Sequence, residues 1–152
     1  TVSGDAVHEP GNFKVPFGMN QAELIEAAGG YKVDPEKIIS GGPMMGFSMF
    51  TVDVPVTKTS SSILCFTKDE VPQYEPTACI NCGRCVEVCP SRLIPSRLAD
   101  YAEHHDEEAF TKHEGLECME CGSCSYVCPA KRQLKQAIGS MRKTALANRK
   151  KK

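Results

Sequence analysis

No stretch of this 152-residue chain approaches 18 consecutive apolar residues, so nothing in it reads as a membrane span, and no secretory signal is visible. An initiator methionine is also missing at Thr1; the expectation is that the chain starts inside a longer protein whose N-terminal part carries the rest of the activity. Residues 1–78 hold a single cysteine, Cys65, and residues 131–152 hold no acid at all. These absences partition the chain. The first half must fold by ordinary packing, while the cysteine-bearing half can be held by metal. The tail takes nine of the 18 Lys/Arg, leaving nine cations against all 19 acids over residues 1–130; a body of −10 and a tail of +9 hide beneath a net charge of −1. With 41% hydrophobic residues the chain can bury one moderate core or two small ones, and the cysteine distribution argues for two.

What is present is one cysteine pattern written twice, CINCGRCVEVCP at Cys79–Pro90 and CMECGSCSYVCP at Cys118–Pro129. Each is C-x2-C-x2-C-x3-C-P, the bacterial run for [4Fe–4S] clusters in which the fourth cysteine serves the cluster of the other run. The spacing therefore assigns one cluster to Cys79, Cys82, Cys85 and Cys128, and the second to Cys118, Cys121, Cys124 and Cys89. Gly83 and Gly122 are read as letting the backbone approach the cluster sulfurs. Pro90 and Pro129 set the exit direction of the chain, and Val86, Val88 and Val127 are expected to keep water off the clusters. A structural zinc site needs only four ligands, usually two separated pairs, so the third cysteine and the C-P ending exceed it. Disulfides suit small secreted chains, and cysteines this close on a turn are poorly placed to bridge one another. Such clusters need a reducing environment, which points to the cytoplasm. Arg84, between two ligands, fits two roles: stabilising the reduced state by charge, or a solvated surface arginine.

Residues 1–66 read as a small mixed α/β unit. Strands are expected at Thr1–Ser3 and Asn12–Val15 around a turn at Glu9-Pro10-Gly11. Asn20 is a good N-cap, with Glu23 three residues on as in a capping box and Met19 and Leu24 placed as a hydrophobic staple. Leu24, Ile25 and Ala28 form the buried face, and Gly29-Gly30 ends the helix. A strand over Lys37–Ser40 runs into Gly41-Gly42-Pro43-Met44-Met45-Gly46, a shaped loop with two readings: it approaches a cofactor or partner, or it is a tight turn carrying two methionines into the core. Phe47–Val56 and Ser62–Phe66 supply further strands, with Cys65 buried as a small hydrophobe. Val2, Phe13, Val15 and Ile38 read as core, so no exposed aromatic cluster is expected in this half.

Residues 67–78 (TKDEVPQYEPTA) are a polar, proline-punctuated linker. Pro95 opens a helix with Ile94, Leu98, Tyr101 and Ala102 as its apolar stripe. Asp106 caps a second short helix with Glu107 and Glu108 in its first turn and Phe110 facing in, closed by Gly115. His104, His105 and His113 are read as solvated, since the cysteines already complete both clusters. From about Lys131 to Leu146, Leu134, Ile138, Met141 and Ala145 mark one apolar stripe on a basic helix. Three readings fit it: docking on the cluster domain, lying on an anionic membrane surface, or binding nucleic acid. Docking leads, with the lysine tail adding membrane or partner attraction; the tail has no interleaved aromatics and no nucleic-acid motif, so no nucleic-acid partner is expected.

Taken together, TVSGDAVHEPGNFKVPFG, QAELIEAAGG, ISGGPMMGF, Val52–Lys58 and the two cysteine runs, the second ending in SYVCPAKR, resemble the C-subunit of the Rnf complex, an ion-translocating ferredoxin:NAD oxidoreductase of bacterial membranes. The first half is also similar to the SLBB domain, a ubiquitin-like β-grasp unit. The resemblance implies an α+β chain: an SLBB-like β-grasp domain over 1–66, a linker over 67–78, a mainly helical two-[4Fe–4S] ferredoxin domain over 79–146 and a basic tail over 147–152. It implies a relay of single electrons through two clusters, on the cytoplasmic side of the bacterial membrane and peripheral to it, beside the other subunits and a redox partner such as ferredoxin or a flavin site. FMN and NADH belong to the part of that family's chain preceding these domains; no Gly-rich nucleotide loop is present here, so hydride transfer does not carry over. Two alternatives stand: the two-cluster subunit of a glycolate-oxidase or heterodisulfide-reductase type assembly, or binding of a corrinoid or glycan by the SLBB-like half.

Overall fold

The structure, a computed structural model, describes residues 1–69 and 73–150. The chain divides into two compact units, Thr1–Gln73 and Tyr74–Lys152. In the first, β1 (Val2–Ser3), β2 (Lys37–Ser40), β3 (Phe47–Met49) and β4 (Ile63–Phe66) form a mixed sheet in the order β1-β4-β2-β3, with α1 (Gln21–Ala27) beside it. β1 runs parallel to β4, pairing Val2 with Ile63, and β2 runs antiparallel to both β4 and β3, pairing Ile38 with Cys65 and Ile39 with Ser48. Along β4 the side chains alternate, Ile63 and Cys65 buried, Leu64 and Phe66 half-buried, as the two-residue period of a strand requires. Ile63 and Cys65 meet Val2, Val7, Leu24, Ile25, Ala28 and Val56 in one core, where each fully buried Leu or Ile contributes about 1.5–3 kcal/mol.

α1 starts as its cap predicts: the Asn20 side-chain oxygen accepts from the Ala22 N–H at 2.8 Å. The Asn20 amide donates to Asp53 at 2.6 Å, which ties the helix start to the segment ahead of β4. Elsewhere the first unit departs from expectation. The hairpin at Glu9-Pro10-Gly11 reduces to one bridge, Val2 and Gly11 exchanging hydrogen bonds of 2.9 Å, because residues 12–15 run irregularly between Pro10 and Pro16 while Phe13 and Val15 lean on the core. The strand expected over Phe47–Val56 stops at Met49, and Pro55 lies beyond it. Met44 and Met45 are exposed, so the loop does not carry them into the core. Phe17, Phe47 and Phe50 are exposed too, contrary to the expectation that this half shows no open aromatic surface.

Part of the expected linker is held to the first unit: Asp5 accepts from the Thr67 N–H and hydroxyl, and Lys37 pairs with Asp69 at 2.7 Å. Residues 70–72 of that linker lie outside the described residues. Thr77 donates to the Ala130 carbonyl at 3.0 Å within the second unit.

The second unit contains α2 (Arg84–Glu87), α3 (Pro95–Glu103), α4 (Glu107–Lys112), a 3₁₀ turn at Gly115–Glu117, α5 (Ser123–Tyr126) and α6 (Leu134–Arg149). Pro95 is the first residue of α3, as its fixed φ suits. Its buried face is Pro95, Leu98, Ala99 and Ala102; Ile94, expected in that stripe, is the N-cap and exposed. Asp106 caps α4 by accepting from the Ala109 N–H at 2.9 Å, and Phe110 is fully buried. Gly115 does not close that helix. It lies under Phe110, where an added Cβ would fall 2.5 Å from the ring, so glycine is needed there for close approach. Leu134, Ile138, Met141 and Ala145 all face inward on α6, which is the docking reading of that helix. Leu93, Leu98, Phe110, Leu134 and Ile138 form the second core, and Cys85, Cys89, Cys118, Cys124 and Cys128 pack against it.

The Thr67 hydroxyl and N–H hold the Asp5 carboxyl below its ordinary value of 3.8. A depressed carboxylate stabilises the fold above its unfolded pKa and loses that contribution as pH falls through the folded value. Thr67→Val is therefore expected to lower the stability of the chain at neutral pH, with the gap to the unsubstituted protein closing as pH falls below 3.8, as read by urea melts across pH.

Candidate metal centres

The two cysteine loops are backbone copies of one another at an offset of 39 residues. Gly83 and Gly122 have φ of +78° and +82°, Asn81 and Glu120 +54° and +55°, and Arg92 and Lys131 +54° and +53°. Each loop thus enters the left-handed region at the same three places, and the short helices α2 and α5 start from the two glycines. Glycine is required at Gly83 and Gly122 by the backbone conformation itself. Asn81 could have signalled a left-handed residue from its type, since asparagine tolerates that region; Glu120, Arg92 and Lys131 carry no such sign.

Cys79, Cys82, Cys85 and Cys128 line one hollow of about 470 Å³, and Cys89, Cys118, Cys121 and Cys124 line another of about 20 Å³. The structure thus gathers the eight cysteines four and four, each set drawing its fourth member from the other loop. Among the described residues no three Cys, His, Asp or Glu side chains converge on a point that could hold a single ion. A tetrahedral ion would need all its sulfurs at about 2.3 Å, whereas four thiols spread around a hollow suit the four corners of a cubane. The first hollow is open, with Cys79 and Cys82 exposed, while the four cysteines of the second, narrower one are half-buried.

Backbone N–H groups point at two of the sulfurs: Leu93 donates to Cys89 Sγ and Glu120 to Cys118 Sγ, each at 3.4 Å. Such bonds are a main lever on cluster potential. Burial pushes the Cys118 thiol up and the Cys124 thiol up to about 11, while the Ser123 hydroxyl and N–H pull Cys121 down. Of the valines expected to shield the clusters, Val86 lines the first hollow but stays partly open to solvent and Val88 is exposed, while the apolar wall of the second hollow comes from Leu93, Leu98 and Ile138. Cys65 is fully buried in the first unit, as a small hydrophobe. His104 and His113 are exposed and each places Nδ1 against the carbonyl four residues earlier, and His105 is also exposed.

Two arginines that the motifs do not reveal brace the loops. Arg132 donates to Asp100 at 2.8 Å and to Glu103 at 2.9 Å, tying the exit of the second loop to α3. Arg142 on α6 donates to the Leu116 carbonyl at 2.9 Å and to Glu120 at 3.2 Å, holding the second cysteine loop against the helix.

Two family matches cover most of this geometry: the SLBB domain over residues 1–48 and the 4Fe-4S dicluster domain over residues 78–132. The second unit is accordingly a carrier of two [4Fe–4S] clusters. The chain is 42% identical over 151 residues to the C-subunit of the Na(+)-translocating ferredoxin:NAD(+) oxidoreductase complex of Acetobacterium woodii, covering 99% of this chain and 34% of that protein. It is 48% identical over 99 residues to the C-subunit of the proton-translocating ferredoxin:NAD(+) oxidoreductase complex of Clostridium ljungdahlii, covering 65% and 22%. Against the C-subunit of the ion-translocating oxidoreductase complex of Yersinia enterocolitica it is 39% identical over 114 residues, covering 74% and 16%. The chain spans about a third or less of the length of these relatives.

Gly83→Ala places a Cβ at φ +78°, a strain of about 1–2 kcal/mol, and is expected to speed iron loss to a chelator. Asn81→Gly, which relieves a left-handed residue two positions earlier, is expected to slow it or leave it unchanged.

Proposed function

We propose that this chain, which belongs by homology to the C-subunit family of Rnf-type complexes, relays single electrons between the other subunits of a membrane-bound, ion-translocating ferredoxin:NAD oxidoreductase. The observation that carries this reading is the division of eight cysteines into two sets of four with the fourth members exchanged. We assign Cys79, Cys82, Cys85 and Cys128 to one cluster and Cys118, Cys121, Cys124 and Cys89 to the other. Once bound, each [4Fe–4S] cluster takes up or gives up one electron at a potential set by burial and hydrogen bonds to sulfur. The chain's own part is to hold and tune. Exchanged ligands make the two sites one unit, the core of Leu98, Phe110, Leu134 and Ile138 fixes the loops from behind, and the Leu93 and Glu120 N–H groups favour negative charge on the sulfurs they face.

We place flavin and nicotinamide chemistry outside this chain, in parts of the relatives' length that it does not span. The working division is an SLBB-like domain over 1–66, a connector over 67–78, the ferredoxin domain over 79–146 and a basic tail over 147–152. Among the described residues no helix is long and apolar enough to cross a membrane. Peripheral attachment at the cytoplasmic face is supported by Lys143, Arg149 and Lys150, which stay exposed while the apolar stripe of α6 is spent on the core.

Anaerobic reconstitution is expected to give about eight irons per chain, and reduction a spectrum of two coupled clusters. Cys89→Ser should impair the site of Cys118, Cys121 and Cys124 first, and Cys128→Ser that of Cys79, Cys82 and Cys85. Stoichiometric zinc without iron in the same preparation would end this reading, and a Cys128 variant that spares the Cys79 site would end the ligand assignment.

A further inference from the structure

The two cysteine sites differ in access and in charge. Around the first, Cys79 and Cys82 are exposed, and three apolar side chains stand in solvent: Ile80 at 66%, Ile94 at 43% and Val86 at 38%. All three line the wide first hollow, as do Arg84 and Arg97. A further hollow, lined by no cysteine, adjoins it, sharing Ile94 and Arg97 and adding Arg92, Lys112 and Glu114. Of the nine Lys/Arg in residues 1–130, four therefore border these two hollows: Arg84, Arg92, Arg97 and Lys112. Of the acids here, Asp100 is taken by Arg132, and Glu114 and the neighbouring Glu87 leave the cations in excess. Arg84 and Arg97 make no ion pair among the described residues.

The second site has less of this arrangement: of its lining only Met119, at 56%, is an exposed large apolar residue among the described residues, and Lys135 is its one cation. Its four cysteines are half-buried, and Glu120 beside them is engaged by Arg142. A basic rim around exposed apolar residues is the complement of a protein with an acidic rim and an apolar centre. Opposite charge across such a contact steers the partner's approach.

We propose that the face built from Ile80, Val86, Ile94, Arg84 and Arg97 is the docking surface for an acidic electron-carrier protein, and that the Cys79–Cys82–Cys85–Cys128 site is the one it meets. This rests on the relay reading above. Each encounter moves one electron between the partner's redox centre and the group those four cysteines hold. The donor is oxidised by one electron, the acceptor reduced by one, and no bond forms or breaks.

The test uses the full chain, reconstituted anaerobically, with a small acidic [4Fe–4S] ferredoxin as probe, titrated calorimetrically at low and high salt, with iron assayed in every sample. Binding is expected at low ionic strength and should fade as salt rises. The paired substitution Arg84→Glu with Arg97→Glu is expected to weaken it about tenfold or more. Lys112→Glu, on α4 and away from both cysteine loops, should weaken it by a smaller factor, while Lys143→Glu on α6 leaves it within about twofold, being outside this face. Iron-loaded protein that fails to bind at low salt, or whose binding ignores both Arg97→Glu and Lys112→Glu, overturns the docking surface and leaves the relay standing. Self-association abolished by Arg84→Glu would overturn it in favour of a second copy on this face. A chain that takes up no iron removes both readings.

Discussion

The contact of α3 with α6 is what the cysteine loops lean on. Those loops have little regular structure of their own: α2 and α5 are four residues each, too short to be stable in isolation. Their shape is imposed from behind, where Leu98 and Ala99 on α3 meet Leu134 and Ile138 on α6 and five of the eight cysteines rest on the same apolar surface. Arg132 and Arg142 add polar ties at the edges of that contact. A packed helix pair also keeps water from one side of each site, which matters because hydration is among the terms that set cluster potential. Packing and redox tuning are therefore one feature seen from two sides.

Much of this was legible in the residues, for identifiable reasons. The cysteine spacing is a ligand pattern and survives any error in secondary structure. Asn20, Pro95 and Asp106 mark helix starts through local hydrogen bonding or a fixed φ, and all three stand where those local effects put them. The stripe Leu134, Ile138, Met141, Ala145 has helical spacing over three turns, long enough for periodicity to decide. The mixed sheet was visible as a set of strands, though its order depends on a parallel β1–β4 pairing between residues about 60 apart, which no local pattern encodes.

The departures share a cause. Phe47–Val56 looks like a strand by composition, yet only three residues pair, because the ladder is limited by β2, itself four residues long. Ile94 fits a helical stripe by spacing but stands at the N-cap, before the helix has turned it inward. Gly115 looks like a helix terminator and is instead a clearance for a ring, a fact that belongs to tertiary packing alone. Arg132 and Arg142 reach acids 29 to 32 and 22 residues away, so their roles were invisible in a tail that reads as uniformly basic. The basic tail and the basic face near Cys79 are thus different things: one is a run in the sequence, the other is assembled from Arg84, Arg92, Arg97 and Lys112 only by folding.

The exchange of fourth cysteines bears on how the protein is made. With Cys128 in the first set, three thiols emerge from the ribosome well before the one that completes them, since α3, α4 and most of the second loop lie between. A nascent chain halted anywhere in that interval holds a tripod but no finished cradle. Completion of either set of four must then wait until translation has passed the second run.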